Sequence, residues 1–574
     1  MFVALSYFIL FLNYRWNAQP EWWKHKPVIC SDALGYYDYL PRYFIDGHKE
    51  KNQFDPTFNV HYKGDTLNKY YIGTALLQSP FFVTARLYYI LKGQQPNGYE
   101  GAFQLAVAGG ALFYFLISLW FISRILLMQF NLKQHQVALL VLLFAFGSTL
   151  MHYVIIYGAF SHVYSFFSIA WFFYHVSRIA KGSFKKSDVL LVLPAFSFIA
   201  VIRPVNIIIL LLAPVFFQNF SHIQSTFRSL LQLHKKTLVT GIVISILPVF
   251  LQCVSWHEQT GDWIVWSYAN EGFNFSNPHV FDVLLSYNYG LFIYCPLVFL
   301  SCAGFYFLFR KNKWQFGWMA LFFIIFFYVI SSWWCWYYGE GLGIRAAVDV
   351  FLFFILLLAF IISEVASSTI KKYVLFFLFF VCLPVNFIYS YQYYFRIINP
   401  NAMNGEKFWY VFLKTGKEYQ NCFGGITCIQ PYSPKGMDTL MHTIHHFENE
   451  PGGILNTAGK EFPYGEKLEL TDAICHHEVY WIKVKMKRKN IQPEGGKNLL
   501  LDVHAGQNDS SVYYVSVRVK EMPAEKTEEW IESEYTLSFF NRFHCGNTVG
   551  VYLYNPLKEE MLIDDMEIYF FGIR

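Results

Sequence analysis

Several charged or polar positions in this chain could do chemistry. Asp32 comes soon after the first apolar run, in Cys30-Ser31-Asp32-Ala33-Leu34-Gly35-Tyr36-Tyr37. A carboxylate there could take a proton from a hydroxyl as its oxygen attacks carbon; the plain alternative is a helix N-cap. Tyr36 and Tyr37 could stack on sugar faces or anchor at a membrane interface. Lys69 heads the apolar stretch Asn68-Lys69-Tyr70-Tyr71-Ile72-Gly73. A lysine is a compact point charge suited to phosphate, and also a common interfacial anchor. His162 and Tyr164, in Ser161-His162-Val163-Tyr164, could hydrogen-bond a substrate or be satisfied inside a core. Arg203 lies between two apolar runs, where an arginine is expensive unless it lines a polar cavity, meets an anion or reaches headgroups. The segment Trp333-Trp334-Cys335-Trp336-Tyr337-Tyr338-Gly339-Glu340-Gly341-Leu342-Gly343-Ile344-Arg345 places Glu340 among glycines and Arg345 at the next helix start. Arg345 gains nothing there from the macrodipole, which favours anions. Together with that helix end it could hold a phosphate. The alternative is a simple pair with Asp349, one turn on.

The elements that must position these residues are mostly apolar. Of the 574 residues 55% are hydrophobic, 21% aromatic and only 15% charged. A soluble domain carries about 25% charge. The deficit is concentrated between residues 102 and 391, in runs long enough to span about 30 Å of hydrocarbon at 1.5 Å per residue. We expect an α-helical polytopic membrane protein with about eleven segments, near 1–13, 102–123, 137–157, 160–180, 189–202, 205–217, 237–254, 287–309, 315–335, 346–362 and 373–391. The basic residues between them fall in five loops: Arg124 and Lys133; Lys181, Lys185 and Lys186; Arg228, Lys235 and Lys236; Arg310, Lys311 and Lys313; Lys371 and Lys372. With 189–202 and 205–217 as a hairpin tipped by Arg203-Pro204, all five share one side, which the positive-inside rule makes cytoplasmic. Each hairpin arm, about 21 Å as an α-helix, is then short for a full crossing. The loops 14–101, 255–286 and 333–345 and everything after 391 fall outside. The basic residues form no nucleic-acid footprint.

Beyond residue 391 the pattern changes. Period-two runs at 478–486, 511–519, 548–554 and 561–571 predict an antiparallel β-sandwich of seven or eight strands. The organisation is therefore a membrane domain over 1–391, a linking segment over 392–460 and an all-β sandwich over 461–574. In an oxidising compartment Cys422–Cys428 and Cys475–Cys545 are candidate disulfides.

Taken in order, the Asp32 segment, Lys69 in NKYYIGTALLQSPFF and the WWCWYYGEGLGIR loop resemble the GT-C superfamily of membrane glycosyltransferases, in particular the protein O-mannosyltransferases and lipid A aminoarabinose transferases. The resemblance covers about residues 1–400. It implies inverting transfer from a polyprenyl-phosphate sugar to a glycan, lipid or protein acceptor, outside the inner (cytoplasmic) membrane. It makes Asp32 the catalytic base, with Glu340 a second acid from another loop. Lys69, Arg203 and Arg345 would offset donor phosphate charge, and Tyr36, Tyr37, His162, Tyr164, Trp336 and Tyr337 would contact substrate. Many relatives carry two adjacent acids where this chain has Asp32 between Ser31 and Ala33. The sequence names no metal ligand set, and a divalent metal stays open as a cofactor. The sandwich resembles accessory carbohydrate-binding modules in strand pattern. Two other classes compete: a flippase for lipid-linked sugars, which calls for polar residues through the membrane depth, and a non-catalytic anchor for a sugar-binding sandwich.

Overall fold

The computed structural model describes residues 2–16, 24, 27–47, 58–130, 132–268, 271–339, 341–365, 369–400, 403–420, 422–423, 438–472, 474–475, 479–492, 495–496, 498–507, 510–520, 522, 526–540, 545–546 and 548–573. Glu340 and Cys428, both singled out above, lie outside the described residues, so Cys422–Cys428 does too. The chain forms two compact units, 1–387 and 388–574.

The first unit is helical and apolar. Among the described residues four helices are long and apolar enough to cross a membrane: Gly101–Gln129, Lys235–Thr260, Lys313–Ser331 and Arg345–Glu364. A fifth candidate is the pair Pro204–Phe216 and Phe220–Gln232, bent by 101°. Arg345–Glu364 is the most enclosed, 94% buried over its apolar window, so its all-round hydrophobicity packs against protein. Other expected spans are interrupted. The run 287–309 becomes three short helices, Leu291–Tyr294, Pro296–Ser301 and Gly304–Lys311. Pro296 opens the second, having no N–H to continue the first. Gly304 sits so close to the Leu357 carbonyl that a Cβ would lie 2.3 Å from its oxygen. The run 137–157 breaks at Ser148, whose hydroxyl turns back to the Phe144 carbonyl.

The hairpin arms differ from expectation in length. The first is an α-helix of 17 residues, Lys186–Ile202, and the second a 3₁₀ helix of 13 residues, Pro204–Phe216. A 3₁₀ helix rises about 2.0 Å per residue, so both arms reach about 26 Å and come near the hydrocarbon thickness. Arg203 stands at the break between them in extended conformation.

The second unit is a sandwich of two antiparallel sheets. One has the order β5-β10-β7-β8: β5 (Tyr464–Glu469), β10 (Thr548–Tyr554), β7 (Leu500–Gln507) and β8 (Ser510–Arg518). The other runs β3-β11-β6-β9: β3 (Asp438–His445), β11 (Met561–Ile573), β6 (Val479–Asn490) and β9 (Trp530–Phe540), with β4 (Leu455–Asn456) paired to β11. Alternate residues of the two sheets, such as Val549, Val551, Val503, Val484, Ile568 and Phe570, meet in one buried core. Strands β3 and β4 come from the 392–460 stretch read as a linker. In β3 the half-buried positions include Thr443 and His445 while Ile444 is exposed, which masked its alternation. A disulfide joins Cys475 to Cys545.

Candidate active site

The site is assembled on the first unit from six chain segments, around Asp32, Lys69, His162, Arg203, Glu271 and Arg345. Asp32 opens a short helix, Asp32–Tyr37, and the residue before it, Ser31, is held at φ 52°. Gly35 lets that helix lie directly on the ring of Tyr70, where a Cβ would come within 2.4 Å. Lys69 follows the hairpin of β1 (Asn59–Tyr62) and β2 (Asp65–Asn68). Two glutamines seven residues apart on the helix Lys235–Thr260, and so on one face of it, fix the backbone on either side of Lys69. Gln259 Oε1 accepts from the Asn68 N–H at 2.9 Å and Gln252 Oε1 from the Ile72 N–H at 2.7 Å. The Asn68 amide also donates to the Gly35 carbonyl at 2.8 Å, which ties the Lys69 segment to the Asp32 helix. The loops around residues 272 and 333 pair as a minimal antiparallel bridge, with Trp334 N–H donating to the Gly272 carbonyl at 2.9 Å. That bridge brings Glu271 beside the glycine-rich loop. Gly339 has φ +76°, a conformation that suits glycine, and Tyr338 before it is held at φ 59°. Two non-glycine residues in this costly region, Ser31 and Tyr338, thus flank the site.

Among the described residues each cation of the site faces a carboxylate. Arg345 contacts Asp32 at 2.6 Å, and Lys69 contacts Glu271 at 2.7 Å. Asp349, fully buried, accepts from the Asn206 amide at 2.7 Å, lies 2.7 Å from His162 Nδ1 and 3.6 Å from Arg203 Nε. The pair Arg345–Asp349 weighed from sequence is not formed: Asp349 serves Arg203 and His162, and Arg345 serves Asp32. Lys69 lies within Coulombic reach of Asp32, and Arg203 and Arg345 within reach of Tyr36. Burial would raise the Asp32 pKa, but the Arg345 and Lys69 charges outweigh it and hold the carboxyl below its ordinary value. Aromatic rings wall the cluster. Tyr36 lies 4.2 Å from Tyr70, Tyr70 lies 6.3 Å from Tyr268, and the Arg203 guanidinium is 5.7 Å from the Tyr338 ring centre.

Asp32, Lys69, Tyr36, His162, Arg203 and Arg345 therefore gather in one place. Four expected contacts do not join them. Tyr37 is buried and donates its hydroxyl to the Gly98 carbonyl at 2.6 Å. Tyr164 packs with Leu77, Tyr114, Phe167 and Ile202. Trp336 stacks on His279 and Tyr337 on Tyr289, both largely buried. Sequence reasoning assigned no role to Asn206, Tyr70 and Tyr338, and marked Tyr268 and Glu271 only as members of the outer loop 256–287 that also carries Trp263, Trp266 and Phe273. Glu271 shares its loop with Glu258, Asp262 and Asp282, so nothing in the sequence picked it out among them; the others carried no signal beyond being polar near an apolar run.

Among the described residues of the membrane unit no set of donors has metal-ligand spacing. Asp32, Glu271 and Asp349 each already face a cation. Among the described residues the one group with metal-ligand spacing is Asp472, Cys475 and Cys545, in the sandwich, and its two sulfurs are bonded to each other.

No family model and no curated protein matches this chain. Among solved structures it is similar to the archaeal oligosaccharyltransferase AglB from Archaeoglobus fulgidus in complex with an inhibitory peptide and a dolichol-phosphate. Identity is 12% and the TM-score 0.37, over 75% of this chain and 61% of that one. It is also similar to the arabinosyltransferase EmbB from Mycobacterium smegmatis, at 11% identity and TM-score 0.33, over 94% of this chain and 62% of that one. The chain thus spans about three fifths of the length of each.

Proposed function

We propose that the chain is an inverting membrane glycosyltransferase, moving a sugar from a polyprenyl-phosphate donor to an acceptor hydroxyl on the extracytoplasmic side. The observation that carries this reading is the Asp32 carboxylate, ion-paired to Arg345 with the Lys69 ammonium in Coulombic reach. It sets a base beside two cations. In the reaction the acceptor oxygen bonds to the anomeric carbon and gives its proton to Asp32. The bond from that carbon to the phosphate oxygen breaks, and its electron pair leaves with the lipid phosphate. Cations placed where this charge grows stabilise the transition state. The leaving group needs no strong acid.

The lowered Asp32 pKa bears on timing. A base works best with a pKa near the working pH, and Arg345 holds Asp32 below that. A donor phosphate that engages Arg345 weakens the hold on Asp32 and moves its pKa back up. Donor arrival then switches on the base. The Cys475–Cys545 disulfide supports an oxidising compartment for the second unit, and the basic loops support the opposite side as cytoplasmic. The setting is then the inner (cytoplasmic) membrane, with a glycan, lipid or protein as acceptor.

The test is release of polyprenyl phosphate from a polyprenyl-phosphate sugar by the purified protein in nanodiscs. Asp32→Asn should cut turnover by about 10²–10⁴-fold while the protein stays folded and binds donor. Full activity of that variant would remove the assignment.

A further inference from the structure

The second unit carries a cleft that the membrane site does not use. It measures about 610 Å³ and is lined in part by Glu461, Phe462, Asp502, His504, Tyr552 and Tyr554. That volume is in the range of small-molecule sites, about 300–1,000 Å³.

Its position follows from strand alternation. Val549, Val551 and Leu553 of β10 point into the sandwich core, as do Leu501 and Val503 of β7. Gly550, Tyr552, Tyr554, Asp502 and His504 therefore face away from it. The register sets Tyr552 between Gly465 on β5 and Asp502 on β7, and Gly550 beside His504. The Tyr552 ring lies down on bare backbone. A Cβ on Gly465 would come within 2.7 Å of it, and one on Gly550 within 2.2 Å. Two glycines thus make room for a flat aromatic platform, half-buried, with a carboxylate on the neighbouring strand. At the rim Phe462, 63% exposed, stacks on Tyr554 with centroids 5.1 Å apart.

We propose that this face of the four-stranded sheet is a glycan-binding site. A sugar ring presents a patch of C–H groups to one side and hydroxyls around its edge. The first matches Tyr552 and the Phe462–Tyr554 pair. The second matches Asp502, Glu461 and His504, which accept or donate hydrogen bonds along the edge. The lining holds two carboxylates, and the one cation beside it among the described residues is Lys467, opposite Gly550 and within Coulombic reach of His504, so acids outnumber bases. The favoured ligand is therefore a neutral or amino-bearing glycan, and a phosphorylated or sulfated one is disfavoured. This inference stands on the second unit alone and does not depend on the reading of Asp32.

The experiment is binding of the full-length protein in nanodiscs to a panel of soluble oligosaccharides: neutral hexose and pentose oligomers, amino-sugar oligomers, and sulfated oligomers. The expected result is millimolar or tighter binding of at least one neutral or amino oligomer. Tyr552→Ala and Asp502→Asn should weaken it about tenfold or more, and Asp32→Asn should leave it unchanged. Gly550→Ala keeps every side chain and only lifts the platform. It should lose binding with the thermal midpoint of the sandwich intact, which guards against misfolding of the Tyr552 variant. Absence of neutral and amino-sugar binding by the unaltered protein, preference for the sulfated oligomers, or full binding by both Tyr552→Ala and Gly550→Ala would overturn the site.

Discussion

Lys69 meets any incoming anion as one half of an ion pair. Both it and Glu271 are largely buried, so a phosphate must compete with a carboxylate for it. Removing that competitor leaves a buried ammonium uncompensated, a situation that costs about 3–5 kcal/mol. Glu271→Gln should therefore lower the melting temperature of the empty protein. Polyprenyl phosphate should restore more of it than in the unaltered protein, which thermal-shift titration measures. An equal ligand shift in both proteins would rule out a shared Lys69. The acids also divide by pH. The Asp32 pKa is lowered, so whatever stability its charge supplies is complete above the ordinary carboxylate value and lost only as pH falls through the folded pKa below it. Asp38 behaves oppositely: burial raises its pKa to about 6, with Arg42 opposing. Its neutral form is the one the fold prefers, so its contribution is full below about pH 4 and fades as pH rises through 6. Melting curves from pH 4 to 7 should show this fall, and Asp38→Asn should abolish it. At this scale the sequence made charges legible by their setting. Asp32, Lys69, Arg203 and Arg345 each stood in an apolar or glycine-rich setting, and each also had a structural reading: an N-cap, an interfacial anchor, a headgroup contact or a pair with Asp349. Pairing was not readable, because it depends on which loops meet. Asp349 is one turn from Arg345 in sequence, yet faces His162 and Arg203.

At the scale of elements, the helix Lys235–Thr260 acts as a ruler for the site. Gln252 and Gln259 hold the backbone on both sides of Lys69. Gln259→Leu leaves the buried Asn68 N–H without its acceptor, at a cost of about 1–3 kcal/mol. Donor KM should rise through misplacement of Lys69 while the protein still inserts. An unchanged KM would separate the ruler from the site. The 3₁₀ helix Pro204–Phe216 is a second such element. Its rise per residue explains how 13 residues come near the membrane thickness, and runs this long are uncommon. Apolar length made the existence of most helices legible. It did not reveal the breaks at Ser148 and Gly304, which act through carbonyls and neighbours that periodicity does not contain; the break at Pro296 comes from its own missing N–H, inside an otherwise unbroken apolar run. The β-strands were legible from alternation, except in β3, where Thr443 and His445 take half-buried positions and Ile444 is exposed.

At the scale of the molecule, a membrane unit and a sandwich share one chain, and each holds itself together differently. The sandwich is closed by Cys475–Cys545 across 70 residues. A loop of that length makes a disulfide worth about 4 kcal/mol in the chain-entropy account. Cys475→Ser should lower the melting temperature of the sandwich, and a reducing agent should do the same to the unaltered protein but not to the variant. The division into an apolar half and an alternating half was plain in composition. The cleft on β5, β10 and β7 was not, since it needs Gly465 and Gly550 on different strands to fall under one ring. The pairing of charges in the membrane unit has a consequence for kinetics. Among the described residues, Lys69, Arg203 and Arg345 are matched by Glu271, Asp32 and Asp349, so their fields cancel within a few ångströms. Such a cluster attracts nothing from a distance. A donor already confined to the bilayer would find it by lateral diffusion, and its rate of encounter should hardly change between low and physiological salt, in contrast to the steep dependence of an exposed cationic funnel.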